Sequence, residues 1–200
     1  MALDWLHRRG FTNETIQQAG LGFNLVDRRI DDCVWGLDRS KPLWLPKGIV
    51  IPWQIGDQLW RINIRRLSGQ PKYMGPAGNG NGLYRADTLS MDQPAVLVEG
   101  EFDALTVMQE TKGAIAAVAT GSTYGARRTR WVSRLAPCLP VLIAFDADPS
   151  GEEAAQYWLK TLPRSKCWRP YWEDINAMHT GGGSVRDWIE AGMDNAQAGT

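Results

Sequence analysis

The spacing of hydrophobic positions changes part-way along this chain. In the first 85 residues the apolar runs are short, and the clearest pattern lies in residues 48–66, where two β-rich runs flank Gly56-Asp57. This arrangement predicts a β-hairpin with its turn at these two residues. Because side chains alternate along a strand, we expect the second run to pack one face and to offer positive charge on the other. The two faces are Trp60, Ile62 and Ile64 against Arg61, Asn63 and Arg65.

After residue 86, continuous apolar runs alternate with helical patterns. Uniformly apolar strands separated by helices are typical of a parallel sheet that is buried on both faces, so we predict an α/β fold for this part. The predicted strands cover residues 95–100, 114–119, 139–148 and 165–172, and the predicted helices cover 101–110, 126–136, 151–162 and 184–192.

The remaining segments are less regular. Residues 1–20 predict two short helices that end at Gly10 and Gly20, with Thr12 as the N-cap of the second helix. Residues 24–47 hold many turn formers without a clear period, and residues 68–82 predict a loop rich in Gly, Pro and Asn.

Composition narrows the class of protein. The chain has 200 residues, of which 44% are hydrophobic and 22% charged, as expected of a soluble globular protein with one large or two small domains. No apolar run approaches the roughly 18 residues of a membrane span, and the N-terminus lacks a signal-peptide core, so we expect no membrane contact and a cytoplasmic location. The cysteines at 33, 138 and 167 form no C-x-x-C pair, which argues against a zinc ribbon and a disulfide framework.

Charge is unevenly distributed although the formal net charge is zero. Residues 1–85 carry 12 Lys and Arg against 7 Asp and Glu, whereas residues 86–200 carry 10 against 15. A basic half followed by an acidic half suits a protein that binds a polyanion with one part and metal ions with the other. Chance is the alternative, because charge asymmetry alone is weak evidence.

Acidic residues follow three of the four predicted strands. Glu99-Gly100 ends the first strand, Asp146 and Asp148 end the third, and Glu173-Asp174 follows the fourth. Ligands of doubly wound sheets bind at the carboxyl ends of the strands, where these acids would repel one another unless cations were present. Hard oxygen ligands favour Mg²⁺ or Mn²⁺, so we predict a metal site at this edge. Gly100 would allow a close approach of backbone or substrate.

Other acids have a simpler interpretation. A D-x-D pair after an apolar strand is common, and Glu101, Glu152 and Glu153 are expected to be first-turn acids favoured by the helix dipole. Asp103 fits either role. The order of strand, Glu-Gly, one β-α unit and then strand with D-x-D is more specific than any single motif.

The segments VLVEGEFDAL and VLIAFDADPSGEEAA resemble a Toprim domain, the metal-binding fold shared by bacterial primases, topoisomerases and some nucleases. Within that group, the primase-type catalytic core of bacteria, phages and plasmids is most similar. RRGFTNETIQQAGLGFN, the PKY segment, GLYRAD and WEDINAMHTGGGSVRDWI each resemble parts of that core. The resemblance implies a basic α+β subdomain over residues 1–85, a Rossmann-like Toprim domain with helices on both faces of its sheet over 86–180, and a C-terminal helix and tail over 181–200.

The resemblance also implies roles for individual residues. Glu99 matches the family glutamate proposed as general base or acid, Asp146, Asp148 and Asp174 match metal ligands, and Asp103 matches an acidic helix position. Where the family often has a further acid, this chain has Asn176, which we expect to weaken one metal site. The expected nucleotide or nucleic-acid contacts are Lys72, Arg61, Arg65, Arg66, Arg127 and Arg128. For the arginine cluster at 127–134, a solvated basic face is an equally good interpretation.

The implied activity is synthesis of short RNA primers on single-stranded DNA from ribonucleoside triphosphates, with Mg²⁺ or Mn²⁺, most simply two ions. The sequence shows no Cys/His zinc module and no helicase part, so a replicative helicase or a separate zinc-binding module is an expected partner. A Toprim-type nuclease is the first alternative, although the basic PKY subdomain counts against it. A non-catalytic nucleic-acid-binding replication module is the second, although the intact acids count against it.

Overall fold

The computed structural model describes residues 2–36, 42–76 and 81–198. Within these ranges the helices are α1 (Ala2–Arg8), α2 (Asn13–Gln18), α3 (Glu101–Glu110), α4 (Thr129–Leu135), α5 (Pro149–Thr161), α6 (Ile175–Thr180) and α7 (Val185–Gln197). The strands are β1 (Gly22–Asn24), β2 (Arg28–Ile30), β3 (Leu43–Leu45), β4 (Gly48–Ile55), β5 (Gln58–Arg65), β6 (Tyr73–Met74), β7 (Ala95–Val98), β8 (Ala116–Ala119), β9 (Val141–Ile143) and β10 (Ser165–Cys167).

The second half of the chain forms a parallel four-stranded sheet in the order β10-β9-β7-β8. Its strands are apolar on both faces because each face is covered. In β7, Val96 and Val98 pack into a core with α3, α6 and α7, whereas Ala95 and Leu97 pack into a second core with α4 and α5. This confirms the predicted α/β fold with helices on both faces of a mostly parallel sheet.

The first half contains an antiparallel sheet in the order β1-β4-β5-β6. The predicted hairpin is present: β4 and β5 pair along their length around Gly56-Asp57, with a register shift at Trp53/Gln54. A separate pair, β2 with β3, occupies part of the segment in which the sequence showed no period. Tyr73-Met74 was expected to lie in a loop, but it forms β6, which pairs with β5 at the edge of the sheet.

Several predicted boundaries are wrong. The third apolar run is a strand only over Val141–Ile143, because the backbone then leaves the ladder and forms the loop that carries the D-x-D pair. The helix predicted from residue 126 begins at Thr129, so Arg127 and Arg128 lie in front of it. The polar face of β5 is not an open basic face either, since Asn63 is only 4% exposed.

The N-terminal helices share a core with the helices that cover the parallel sheet. Leu6 and Phe11 belong to the same buried cluster as Phe102, Met178 and Trp188, and the Phe11 and Phe102 rings lie 5.6 Å apart. Hydrophobic packing therefore crosses the predicted boundary between residues 85 and 86. No helix within the described ranges is long and apolar enough to span a membrane.

Candidate active site

The acidic residues lie where the strand order of the parallel sheet reverses. From β7 the chain moves outward to β8, and it then crosses to β9 and β10 on the other side of β7. Glu99 directly follows β7, and Asp146 and Asp148 follow β9, the neighbouring strand. The crevice at the carboxyl ends of two such strands is the usual ligand site of a doubly wound sheet.

Asp146 is surrounded by other acids. Burial, reinforced by the nearby charges of Glu99, Asp174 and Asp148, raises the pKa of Asp146 from 3.8 to about 7. The backbone joins these segments, since Ala147 N–H donates to the carbonyl oxygen of Glu173 at 2.9 Å. The D-x-D loop and the Glu173-Asp174 segment therefore form one acidic edge.

Glu99 has an unsatisfied carboxylate oxygen. Its Oε2 is buried and has no hydrogen-bond partner in the described part of the chain. Burial, followed by the charge of Asp148, raises the pKa of Glu99. A buried carboxylate oxygen without a donor is costly, and a cation, a ligand donor or a proton at this oxygen would remove that cost. Gly100 follows as the N-cap residue of α3.

Asp148 and Asp174 also cap helices. Asp148 Oδ1 accepts from Gly151 N–H at 2.7 Å and from Ser150 Oγ at 2.8 Å, at the start of α5. These bonds lower the pKa of Asp148. Asp174 accepts from Ala177 N–H at 2.5 Å, at the start of α6. Both caps use Oδ1, which leaves the second oxygen of each carboxylate for another ligand.

Asp103 lies behind this edge, inside the protein. Burial, with the charges of Asp174 and Asp146, raises the pKa of Asp103 well above its usual value. Its Oδ1 accepts from the backbone N–H of Asn176 at 3.0 Å. The side chain of Asn176 is itself buried and fully used. Its Nδ2 donates to Arg9 O and to Thr106 Oγ1, and its Oδ1 accepts from Arg9. Asn176 in α6 thus bonds to Arg9, directly after α1, and to Thr106 in α3. These contacts explain why an amide occupies this position.

The acids suit a divalent cation without forming a closed cage. Within the described part of the chain, no three His, Cys, Asp or Glu side chains converge as a ready-made metal site. Mg²⁺ typically takes only one or two carboxylates and completes its shell with water and phosphate oxygens. Two features of the site fit such an ion: Oε2 of Glu99 has no partner among the described residues, and burial and the neighbouring negative charges raise the pKa of Asp146. Asp146, Asp148 and Asp174 are the residues that would hold it.

Four of the predicted basic contacts, Arg61, Arg65, Arg66 and Lys72, lie in or directly beside β5 and β6 of the antiparallel sheet. Arg66 N–H donates to Lys72 O at 2.8 Å, beside the β5-β6 pair, and Lys72 is exposed. Arg65 lies over the rings of Trp5 and Tyr73, 5.5 and 5.2 Å from their centroids. Arg61 in β5 is half-buried, and its guanidinium lies over the ring of Trp53.

The arginines ahead of α4 differ from each other. The Arg127 guanidinium lies between the rings of Tyr124 and Tyr157, 4.6 and 4.0 Å from their centroids, and donates to Thr123 O at 2.9 Å. Arg128 is exposed as the N-cap residue of α4. The structure therefore anchors Arg127 by stacking and leaves Arg128 open to solvent.

Sequence reasoning missed two features. A cavity of about 470 Å³ opens between α1 and α6, and Trp5, Arg8, Arg9 and Asp174 are among its lining residues. It places positive charge opposite the acidic edge, and only the Arg-Arg pair before Gly10 hinted at it. The second is Glu101, which is 2% exposed and accepts from Trp53 and Asn63 of the antiparallel sheet. The polar residue at position 63 in an alternating strand was its only signal.

Comparisons with known proteins agree with this geometry. Residues 96–179 match the Toprim-like family model. No curated protein sequence matches the chain. Among solved structures, the E. coli primase catalytic core is 18% identical with a TM-score of 0.72, and the match covers 97% of this chain and 72% of that one.

Two further structures extend the comparison. The Aquifex aeolicus primase, with its zinc-binding and RNA polymerase domains, is 19% identical with a TM-score of 0.69 over 95% of this chain and 55% of that one, so this chain spans about half of its length. The primase fragment of the bacteriophage T7 primase-helicase is 20% identical with a TM-score of 0.65, over 92% and 72% of the two chains. Residues 96–179 are thus a Toprim-like domain, and the chain has the fold of bacterial and phage primase catalytic cores.

Proposed function

We propose that this chain is a primase-type nucleotidyltransferase core that joins ribonucleotides into short primers on single-stranded DNA. The observation that carries the proposal is the unpaired Oε2 of Glu99 beside an acidic edge, within a fold shared with primase cores. The shared fold includes the antiparallel sheet as well as the Toprim-like domain, since the match covers 97% of this chain. This favours primer synthesis over cleavage.

The chemistry divides among the residues at the site. A divalent cation held by Asp146, Asp148 and Asp174 would supply charge neutralisation for the phosphates. Glu99 Oε2 has no hydrogen-bond donor among the described residues. It accepts the proton of the 3′-hydroxyl, or of a water that relays it, as the 3′-oxygen bonds to the α-phosphorus of the incoming ribonucleotide and pyrophosphate leaves. Gly100 has no side chain, so substrate can approach the backbone closely at the end of β7.

The basic residues hold the phosphates and the template. Arg8 and Arg9 line the cavity beside Asp174. There they would bind the triphosphate of a ribonucleotide that lies against the acidic edge. Lys72 is exposed beside β6, and Arg65 and Arg66 are half-buried at the end of β5. These three residues would bind the phosphates of the template backbone. A DnaG primase catalytic domain of the same fold has been solved bound to single-stranded DNA, which supports this partner.

A primer-synthesis gel tests the proposal. The protein is incubated with end-labelled single-stranded DNA, labelled ribonucleotides and Mg²⁺ or Mn²⁺, beside Glu99→Gln and the matched control Glu190→Gln on the exposed face of α7. We expect short labelled products from the wild type and from the control, and none from Glu99→Gln. Shortened DNA instead of new product would replace the proposal with a Toprim nuclease.

The test includes a complementation arm because this chain spans only part of the Aquifex primase. A separately purified zinc-binding module or a replicative helicase is added to reactions without product. Product that appears only with the partner, and still requires Glu99, supports the proposal and shows that the activity needs a second polypeptide. DNA binding without product under every condition contradicts it in favour of an accessory binder.

A further inference from the structure

A tryptophan of the antiparallel sheet is wedged behind the strand end that carries Glu99. Trp53 lies in β4 and is 1% exposed. The backbone at Gly121 passes so close that a Cβ there would lie 2.6 Å from Cη2 of the indole, and a Cβ at Gly82 would lie 2.9 Å from Cε3. Gly121 also has a φ of +73°, which glycine adopts readily. The Trp53 ring therefore packs directly against the backbone at Gly82 and at Gly121.

The polar edge of the same indole is held by Glu101. Trp53 Nε1 donates to Glu101 Oε1 at 3.0 Å, and Asn63 Nδ2 donates to the same oxygen at 2.7 Å. Glu101 is 2% exposed, so these bonds form away from water. Buried hydrogen bonds to a carboxylate fix both partners firmly, because breaking one leaves a buried charge poorly compensated.

Arg61 supplies the positive charge of this assembly. Its guanidinium lies 4.7 Å from the centroid of the Trp53 ring. Burial lowers the pKa of Arg61, and the charge of Glu101 opposes that shift. Its Nε is buried without a partner among the described residues. Arg61 thus interacts with Trp53 of the antiparallel sheet and with Glu101 of α3, where the two sheets meet.

The assembly encloses the backbone of Glu99. Glu101 follows Glu99 by two residues along the chain, and Gly121 N–H donates to the carbonyl oxygen of Glu99 at 2.8 Å. Trp53 contacts both segments, through a hydrogen bond to Glu101 and through its ring face at Gly121. The contacts form a closed loop that starts and ends at Glu99.

We infer that Trp53 and Glu101 are positioning residues that hold the Glu99 peptide, and with it the carboxylate, at the acidic edge. The role in catalysis rests on the proposed function, in which Glu99 handles the proton. A misplacement of about 1 Å costs on the order of 100-fold in rate, so a residue behind the site has a large effect without contacting substrate. Neither residue belongs to the acid set expected to hold metal.

Two conservative variants and one matched control test the inference. Trp53→Phe removes the indole donor and keeps an aromatic ring, and Glu101→Gln removes the charge opposite Arg61. Glu110→Gln changes an acid at the other end of α3. We expect kcat for primer synthesis to fall by about 10- to 100-fold in the first two, with the KM for ribonucleotide within about twofold of wild type. Glu110→Gln should match wild type in both.

A charge-exchange variant separates positioning from simple destabilisation. Asn63→Asp alone puts a second carboxylate 2.7 Å from Glu101 in a buried site and should lower both Tm and kcat. Adding Glu101→Gln restores one amide and one carboxylate beside Arg61. The double variant should therefore regain most of the lost kcat. A double variant no better than Asn63→Asp would contradict the inference.

Hydrogen exchange decides the inference even if no condition gives primer synthesis. The Gly121 amide is held by Glu99 O, so its exchange reports on the Glu99 peptide. We expect exchange around residues 120–122 to be at least about tenfold faster in Trp53→Phe and Glu101→Gln, and unchanged in Glu110→Gln. Wild-type exchange in both variants would overturn the inference. An inactive wild type with this exchange pattern would instead contradict only the proposed function.

Discussion

Asp146 lies in a setting that opposes its ionisation. Burial and the charges of Glu99 and Asp174 raise its pKa from 3.8 to about 7. An acid whose pKa is higher in the folded state lowers stability once it ionises. The penalty is absent below about pH 4, where the group is protonated in both states, grows between about pH 4 and 7, and is complete above about pH 7.

The first prediction is that Asp146→Asn stabilises the protein in EDTA. We expect Tm to rise by at least roughly 3 °C near pH 8 and to change little near pH 4.5. Solvent screening reduces the penalty at this partly exposed group, and even about 1 kcal/mol shifts Tm by roughly 2–4 °C in a chain of this size. Differential scanning fluorimetry at both pH values measures this, with Asp194→Asn on the exposed face of α7 as the control. An equal rise at both pH values would show that charge is not the cause.

The second prediction concerns metal. A cation that binds the folded acidic edge stabilises it in proportion to the logarithm of its concentration relative to Kd. We expect Mn²⁺ or Mg²⁺ to raise the wild-type Tm near pH 8 and to have a much smaller effect on Asp146→Asn. The same titration with Asp194→Asn should follow wild type. A metal effect that survives in Asp146→Asn would place the cation elsewhere.

At the scale of elements, two helices begin at residues of the acidic edge. Asp148 caps α5 and Asp174 caps α6, each through one carboxylate oxygen. A helix start satisfies orphan N–H groups with such a cap, and the helix dipole favours the negative charge. The positions of these carboxylates are therefore set by the first turns of α5 and α6.

The third prediction separates capping from metal binding at Asp148. Serine caps helices about as well as aspartate but carries no charge. Asp148→Ser should keep the unfolding free energy within about 0.5 kcal/mol of wild type in EDTA, whereas Asp148→Ala should lose about 1 kcal/mol. Both variants should lose most of the Mn²⁺-dependent Tm rise. Urea unfolding and the metal titration check the two parts, and a full Mn²⁺ response in Asp148→Ser would remove Asp148 from the ligand set.

The elements differ in how far the sequence predicted them. Helix α3 was predicted with its observed limits, because a strand-ending glycine and an apolar stripe both mark it. The three-residue strands β1, β2 and β3 were missed, since such short strands show no alternation and are defined by their partners. The prediction made β9 too long because Ala144 and Phe145 are as buried as the strand, which ends at Ile143.

Dependence on contacts distant in sequence also limited the prediction of the candidate site. The acids could be predicted because strand ends of a parallel sheet meet at one edge. Glu101 could not, since a first-turn acid has the same local sequence whether it faces solvent or a second sheet. Asn176 was expected to weaken a metal site, and its buried bonds to Arg9 and Thr106 depend on contacts far apart in sequence.

At the scale of the whole molecule, one core joins the N-terminal helices to the Toprim-like domain. Leu6 and Phe11 pack with Phe102, and Arg9 bonds to Asn176 across 167 positions of the chain. The antiparallel sheet is joined to α3 through Trp53 and Glu101. The two halves therefore stabilise each other, although their charges differ.

The fourth prediction is a single unfolding transition. Urea unfolding followed by tryptophan fluorescence and by far-UV circular dichroism should give coincident curves, because tryptophans of both halves lie in shared cores. Phe11→Ala should shift both curves to lower urea by the same amount, consistent with a loss of about 3–5 kcal/mol for a buried Phe. Two separated transitions would show that the halves unfold independently.

The strand order has a consequence for how this site tolerates sequence change. Glu99 and the D-x-D pair extend from β7 and β9, which are the two inner strands of the parallel sheet, while β8 and β10 form its edges. Substitutions that accumulate in the edge strands alter the rim and its neighbours before they move the inner pair. The surfaces beside the edge strands can therefore change extensively while the spacing between Glu99 and Asp146 stays nearly constant.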